Sequence, residues 1–444
     1  MRAVKLAISF LFVLLTAIGW YRYAVNTAAG LSALSTALAG AERAAAGGLY
    51  EQAAECYRQA ISLQPDAGLY KKLLETNTLL YGEDDSPRIY ASYISDMRDA
   101  VRAYPKNPDF WSAIIEMQMG VERYNDAYDS VSEARSVGVR DERIEKRYRE
   151  LIYMDRPGYR AYYSFNSGLN GYISASTDPE NTKWIVIDEA GDNESAPFRY
   201  IGLINGDGMG VFQMDTDEFR LLDKALITRG IIGFHNITAA GAYDGAADYF
   251  PVKTGNGWTY MRPNGEAMQK TFEIAGSFTN GQAAVKADGQ WGLADPAGEV
   301  WWLPNITDIK LGLTGNHIKG NVIIAREADK YGLYDKNFQR IGTFAADDMD
   351  IYLDGPIAYK DKGLWGFADH KGAIVVPPEY HMARSFSNGF AAVADASGLW
   401  GFINAEYDLA VGYKYGFAHY FTKDRTCLIS LEQGKYQLLN FRFG

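Results

Sequence analysis

Two periods of hydrophobicity divide the chain. From residue 33 to 155, apolar side chains return every three or four positions on an Ala-, Leu- and Glu-rich background, which is the spacing of amphipathic helices. Gly48 and the polar run Gly82–Pro87 read as inter-helix turns, and Ile144, Tyr148, Leu151 and Ile152 give the stretch Asp141–Met154 the apolar face of a capping helix. Asp155-Arg156-Pro157-Gly158 then breaks the helical pattern. Beyond it, short runs alternate bulky and small residues with the period of strands, beginning with Tyr159–Phe165.

The strand region repeats itself. Trp365-Gly366-Phe367-Ala368-Asp369, followed by Gly372, returns as Trp291-Gly292-Leu293-Ala294-Asp295 with Gly298 and as Trp400-Gly401-Phe402-Ile403-Asn404. Looser copies centre on Trp258, Tyr331 and Tyr436, and these six positions stand 33 to 40 residues apart. Two upstream frames carry Asn170 and Met209 in the same slot, giving eight slots. In each copy the bulky residues share one strand face and the small ones the other. The aromatic face is expected to fill the gap against the next unit, while the bare face admits a neighbouring backbone. Asp and Gly at the ends of Asp295–Gly298 and Asp369–Gly372 predict type I turns, in which the Asp295, Asp335 and Asp369 carboxylates accept backbone N–H groups two residues on. The return strand Ala373–Val376 is expected to stop at Pro377-Pro378, which cannot donate to a ladder. Phe278-Thr279-Asn280-Gly281 and Phe386-Ser387-Asn388-Gly389 mark a second recurring element, each followed by an Ala-Ala-Val strand.

On these residues the chain resembles the bacterial WG-repeat proteins, well over 250–444 and weakly over 160–249. The resemblance implies an all-β repeat array and transfers no catalytic residue. Such units must bury both faces and cover their edges. A closed β-propeller of seven or eight small blades does both, with a β-solenoid as the alternative. The last unit ends just after its slot strand, and Tyr159–Phe165 can supply the missing partner, the closure a ring requires.

In the helical half, Gly48, Tyr50, Ala53, Tyr57, Ala60 and Pro65 have tetratricopeptide spacing, and Trp111, Tyr124, Ala127, Val131 and Ala134 repeat it. Ala60 to Ala100 is 40 residues and Ala100 to Ala134 is 34; the surplus equals the insertion Gly82–Pro87. The region 33–155 thus resembles three tetratricopeptide repeats with a capping helix. Its register nominates Lys72, Thr76, Asp109, Ser112 and Glu116 as groove-facing, partner-binding residues.

Residues 1–30 carry Arg2 and Lys5, an apolar run Leu6–Trp20 and then Tyr21-Arg22-Tyr23, an export signal. The aromatic belt favours a retained anchor: a single span in the inner membrane, with the bulk facing the periplasm or the extracellular side. The short apolar run favours the alternative, a cleaved signal peptide and a secreted or periplasmic chain. Three segments follow: 1–30, 33–155 and 159–444.

A net charge of −11 and a pI near 5.1 argue against nucleic-acid binding, which needs clustered Lys and Arg. His235, His317, His370, His381 and His419 have no metal-ligand spacing and read as loop or surface residues. The acidic runs Asn205–Gly208, Asp215–Glu218 and Asp347–Asp350 lack the calcium-loop pattern, so neither metal nor cofactor is expected. Cys56 and Cys427 fall in different domains and read as unpaired, buried thiols. Trp301, Trp302, Tyr359 and Tyr413 lie outside the repeat slot and are candidates for stacking on sugars or peptide side chains. The expected function is a non-enzymatic, membrane-tethered, extracytoplasmic scaffold holding other proteins, with envelope components as its partners. The alternative is a cell-envelope glycan-binding module or glycan hydrolase using carboxylate pairs at a propeller mouth.

Overall fold

The structure, a computed structural model, describes residues 29–158, 160–166, 172–188, 194–204, 210–213, 219–222, 228–232, 237–432 and 434–441. Residues 1–28, Asn170, Met209, His235 and the runs 205–208 and 215–218 lie outside them, and with them the expectations placed there. The chain divides into residues 1–151 and 152–444, and each unit is described by itself.

The first unit is helical: α1 (residues 29–46), α2 (Tyr50–Leu63), α3 (Ala67–Glu83), α4 (Pro87–Ala103), α5 (Pro108–Gly120), α6 (Tyr124–Ser136) and α7 (Glu142–Ile152). Caps fix three of the starts. Asp66 accepts the Gly68 and Leu69 N–H groups at 2.8 and 3.3 Å, while Ser86 and Asn107 cap α4 and α5 with proline in the first turn. Alanines 53, 60, 100, 127 and 134 are fully buried where helices touch. Side-chain ties join each helix to the next but one: Lys72 to Glu42, Arg58 to Asp96, Arg98 to Glu133 and Arg147 to Glu116. Odd helices therefore stack on odd and even on even, a pile of hairpins. The insertion Gly82–Pro87 does not lengthen a turn as expected. Gly82 and Glu83 extend α3 and Pro87 starts α4, so these two helices have 17 residues where α5 and α6 have 13. The cap at Ser86 and the helix-compatible φ of Pro87 account for this.

Among the described residues no helix is long and apolar enough to cross a membrane. This corrects the expected single N-terminal span, and the inner-membrane localisation falls with it. The run Leu6–Trp20 itself lies outside the described residues, and the described helices are amphipathic, as α4 is with Ile89, Tyr93 and Met97 buried and Arg88, Asp99 and Arg102 exposed.

The second unit is a β-propeller. Among the described residues, eight antiparallel sheets of three or four strands follow one another from Ser164 to Phe441. Each seam between consecutive sheets holds its own buried cluster, and the last sheet packs on the first through Leu428 and Leu438 against Ile173 and Ala175. The ring is therefore closed. Its closing strand is Asp155–Pro157, which pairs antiparallel with Leu439–Phe441 of the eighth sheet. The expected partner, Tyr159–Phe165, instead contributes a single bridge, Tyr162 to Tyr436, before Ser164–Asn166 opens the first sheet.

The aromatic slots lie in the seams. Trp291 is 2% exposed and packs with Leu303 and with Ile306 and Ile323 of the following sheet. Tyr331 and Trp400 are buried against the sixth and eighth sheets, while Trp258, Trp365 and Tyr436 are half-buried in theirs. The bare face has an equally specific use. A Cβ on Gly366 would meet the Val376 carbonyl oxygen at 2.5 Å, and one on Gly401 would meet that of Val411 at 2.5 Å. Both contacts arise at bulges, where Trp365 pairs with Tyr380 but Phe367 with Val376. The bulge also corrects the expected stop at Pro377-Pro378. The strand runs on from Ile374 to Tyr380, because it is the outer edge of its sheet and the prolines owe no N–H to a further neighbour. The Asp turns are as the residues suggest: Asp369 Oδ1 accepts the Lys371 and Ala373 N–H groups at 2.9 and 2.8 Å, and Gly372 takes φ 86°.

Candidate functional site

The first strand of each sheet is short, and the residues just after it meet across the ring. Asp350 of the sixth sheet accepts the Tyr420 hydroxyl of the eighth at 2.7 and 2.8 Å, bypassing the seventh, and also takes the Ser385 N–H at 2.7 Å. Arg384 donates through Nε to the Ala418 carbonyl at 2.7 Å and lies over the Trp400, Phe417 and Tyr420 rings at 5.1 to 5.6 Å. Contacts that skip a sheet are possible only near the ring axis, so the first strands line it.

The loops leaving these strands form a crown at one mouth. Asn280-Gly281, Gly320-Asn321 and Asn388-Gly389 are two-residue turns with positive φ at both positions, the geometry that closes a tight hairpin. Thr279 with Gln282, Lys319 with Val322 and Ser387 with Phe390 exchange both backbone hydrogen bonds across them. Neighbouring loops are tied together. Ser277 Oγ accepts the Ala242 N–H at 3.0 Å, the Ser277 N–H donates to the Gly315 carbonyl at 2.9 Å, and Ser387 Oγ donates to the Phe421 carbonyl at 2.7 Å. The Asn388 N–H bridges both oxygens of Asp354 at 3.1 and 3.0 Å.

The crown encloses a cavity of about 450 Å³, to which the third through eighth sheets all contribute. Its walls are largely polar, from Asp244 and Thr279 round to Asp354, Asn388 and Lys423, with Tyr243, Phe278 and Tyr352 among them. Because these hydrogen bonds hold loop to loop, this surface is preorganised before anything docks on it.

Two buried histidines sit in this unit, where loop or surface positions were expected. His317 is 4% exposed, and its Nδ1 has no partner among the described residues; burial lowers its pKa to about 4. His419 accepts the Tyr420 N–H on Nδ1 at 2.7 Å, and burial, then the Arg384 charge, lower its pKa to about 3. Cys427 lies beside it, but its Sγ contacts the His419 backbone oxygen at 3.2 Å and not the imidazole, and burial pushes the thiol pKa up. The pair has neither the orientation nor the thiolate of a nucleophilic site. Among the described residues no group of three or more His, Cys, Asp or Glu could hold a metal ion.

The groove residues nominated in the helical unit are engaged within it. Thr76 and Ser112 are buried, with Thr76 Oγ1 donating to the Lys72 carbonyl. Lys72 pairs with Glu42, Asp109 with Arg143 and Glu116 with Arg147, at 2.9, 2.9 and 2.6 Å. The residues of the crown that the sequence reading passed over are Lys319, Asp354, Tyr352 and Lys423. For Lys319 a signal was present, since Lys319-Gly320-Asn321-Val322 occupies the same frame as Thr279-Asn280-Gly281-Gln282.

Among known proteins, residues 365–394 match the WG containing repeat. No curated protein matches the chain. Solved structures similar to it include Kluyveromyces lactis Hsv2 with its complete loop 6CD, at 9% identity over 61% of this chain and 98% of that one, TM-score 0.37. The CNH domain of AfRom2 is similar at 9% identity over 56% and 95%, TM-score 0.33, and the WD40 β-propeller domain of Doa1 at 10% over 64% and 97%, TM-score 0.33. Likenesses at this level carry no weight of their own; the propeller follows from the sheet order and ring closure within the chain. The class is therefore a helical region followed by a repeat-containing β-propeller.

Proposed function

We propose that the protein is a non-enzymatic scaffold that holds other proteins, with the crown at the propeller mouth as its principal docking surface. The observation that carries this is the convergence of loops from six sheets on one preorganised polar cavity, while the recurring tryptophans and tyrosines are consumed in the seams. The helical unit, read as a tetratricopeptide-like stack, offers a second surface. A partner reaching Lys72, Asp109 or Glu116 there exchanges exposed ion pairs, each worth only about 0–1 kcal/mol.

The test is affinity capture by the full-length chain from extracts of its source cells, comparing wild type with Thr279→Arg in the crown and Asp288→Arg at the opposite end of the same sheet. Loss of the captured protein in the first variant alone supports the reading. Equal capture by all three, or none by wild type, removes it.

A second reading rests on Trp301 and Trp302, adjacent on an outer strand and 48% and 39% exposed. Neighbours on a strand face opposite sides, so each exposed indole offers its own stacking face for a sugar ring. Retention of the wild type, but not of Trp302→Ala, on immobilised glycans would favour it.

A further inference from the structure

The side chains around the axial cavity separate by hydrogen-bonding role. Its carboxylates are already spent on the loops: Asp354 holds the Asn388 N–H through both oxygens, and Asp244 Oδ1 takes the N–H groups of Ala246 and Ala247 at 3.0 and 2.7 Å. Asn316 is closed on itself, accepting from the Thr314 hydroxyl at 2.9 Å and donating to the Ile318 carbonyl at 2.9 Å.

Two ammonium groups and two neutral polar groups remain. Lys319 and Lys423 are exposed at the mouth and form no ion pair among the described residues. The Asn280 carboxamide and the Tyr352 hydroxyl make no hydrogen bond among the described residues either, and Tyr352 lies beside the turn that carries Lys319. With the Asp244 and Asp354 carboxylates turned onto backbone N–H groups, the two ammonium groups are the charges at the mouth without a partner, and a docking group that pairs with them is an anion. Two unpaired ammonium groups at one opening also give a chain of net charge −11 a place where an acidic partner can approach. Among the described residues the wall contains no arginine, so the anion is met by lysine point charges, which a flexible acidic side chain reaches without a fixed bidentate geometry.

We propose that the axial mouth binds an acidic peptide segment of a partner protein, with Asp or Glu carboxylates taken by Lys319 and Lys423 and the neighbouring backbone by Asn280 and Tyr352. The proposal rests on the crown being a protein-docking surface and adds the chemistry of what docks there.

It is tested with the full-length chain and three probes: a fluorescein-labelled hexaglutamate peptide, the corresponding hexaglutamine peptide and inorganic phosphate as competitor. Hexaglutamate is expected to bind at least about tenfold tighter than hexaglutamine, and to weaken as salt rises from about 50 to about 300 mM. The double variant K319Q/K423Q, with an unchanged thermal midpoint, is expected to lose about tenfold or more of that affinity. No hexaglutamate binding, equal binding by wild type and double variant, or displacement by millimolar phosphate each overturns the proposal, the last by making this a phosphate site. Equal binding of both peptides, abolished by Thr279→Arg, overturns the acidic preference yet leaves the docking surface standing. Failure of both peptides together with failure of affinity capture removes both.

Discussion

The Asp155 carboxylate and the Tyr415 hydroxyl, 260 residues apart in the chain, share a hydrogen bond, and the Lys414 ammonium lies 2.7 Å from the carboxylate's other oxygen. The closing strand, the outer edge of the eighth sheet, is thereby tied directly to the outer strand of the seventh. Burial, then the neighbouring carboxylate, raise the Tyr415 pKa, so the phenol stays protonated and donates across the whole neutral range.

Removing that donor should loosen the ring. Tyr415→Phe leaves a largely buried carboxylate one partner short, and a loss of roughly 1–3 kcal/mol is expected in urea or thermal unfolding of the full chain. An unchanged midpoint would mean that closure does not depend on this contact.

Much of the propeller was legible because its repeat has a mechanical cause. Trp365 and Gly366 alternate across a strand, so one faces a seam and the other a bulged neighbour, and the asymmetry shows in the letters. The turn aspartates were equally readable, since an Asp–Gly spacing of four has one favoured geometry. What could not be read is where separate loops meet. Lys319, Asp354 and Lys423 share no local pattern, and only the ring brings them to one cavity. The closing strand escaped for a related reason: Asp155-Arg156-Pro157 is too short to alternate, and its strand state is set by an edge almost three hundred residues away. The burial of His317 and His419 likewise depends on neighbours from other sheets.

Two strand glycines should respond unequally to an added methyl group. Gly366→Ala forces a Cβ against the Val376 carbonyl and is expected to cost about 2 kcal/mol or more. Gly412→Ala, on an exposed edge strand with nothing within 4 Å, should stay within about 0.5 kcal/mol. Equal effects in urea titrations would remove the role given to the bare face.

Tryptophans should sort by seam and surface. Trp291→Ala opens a cavity between the fourth and fifth sheets and is expected to cost about 3–5 kcal/mol. Trp301→Ala loses one edge contact with Phe338 and should cost less than about 1 kcal/mol. Parallel calorimetry of the two variants decides the matter.

Acid should destabilise the propeller through its buried histidines. Each is neutral in the folded chain and binds a proton more readily when unfolded. The stability this represents is fully present above about pH 6.5 and is lost as pH falls towards about 4 for His317 and about 3 for His419. His317→Leu should therefore flatten the fall in stability between about pH 6.5 and 4 by an amount on the order of 2–3 kcal/mol. Identical pH profiles for variant and wild type would contradict it.

The central claim, that the crown is where this protein holds another, is tested most directly by site-specific photo-crosslinking of the full chain in its source cells. A crosslinking residue is placed at position 280 on the mouth and, separately, at position 288 at the opposite end of the same sheet. Discrete protein adducts from 280, lost when Lys319 and Lys423 are replaced by glutamine and absent from 288, are the predicted result; adducts from 288 alone, or from neither position, would contradict it.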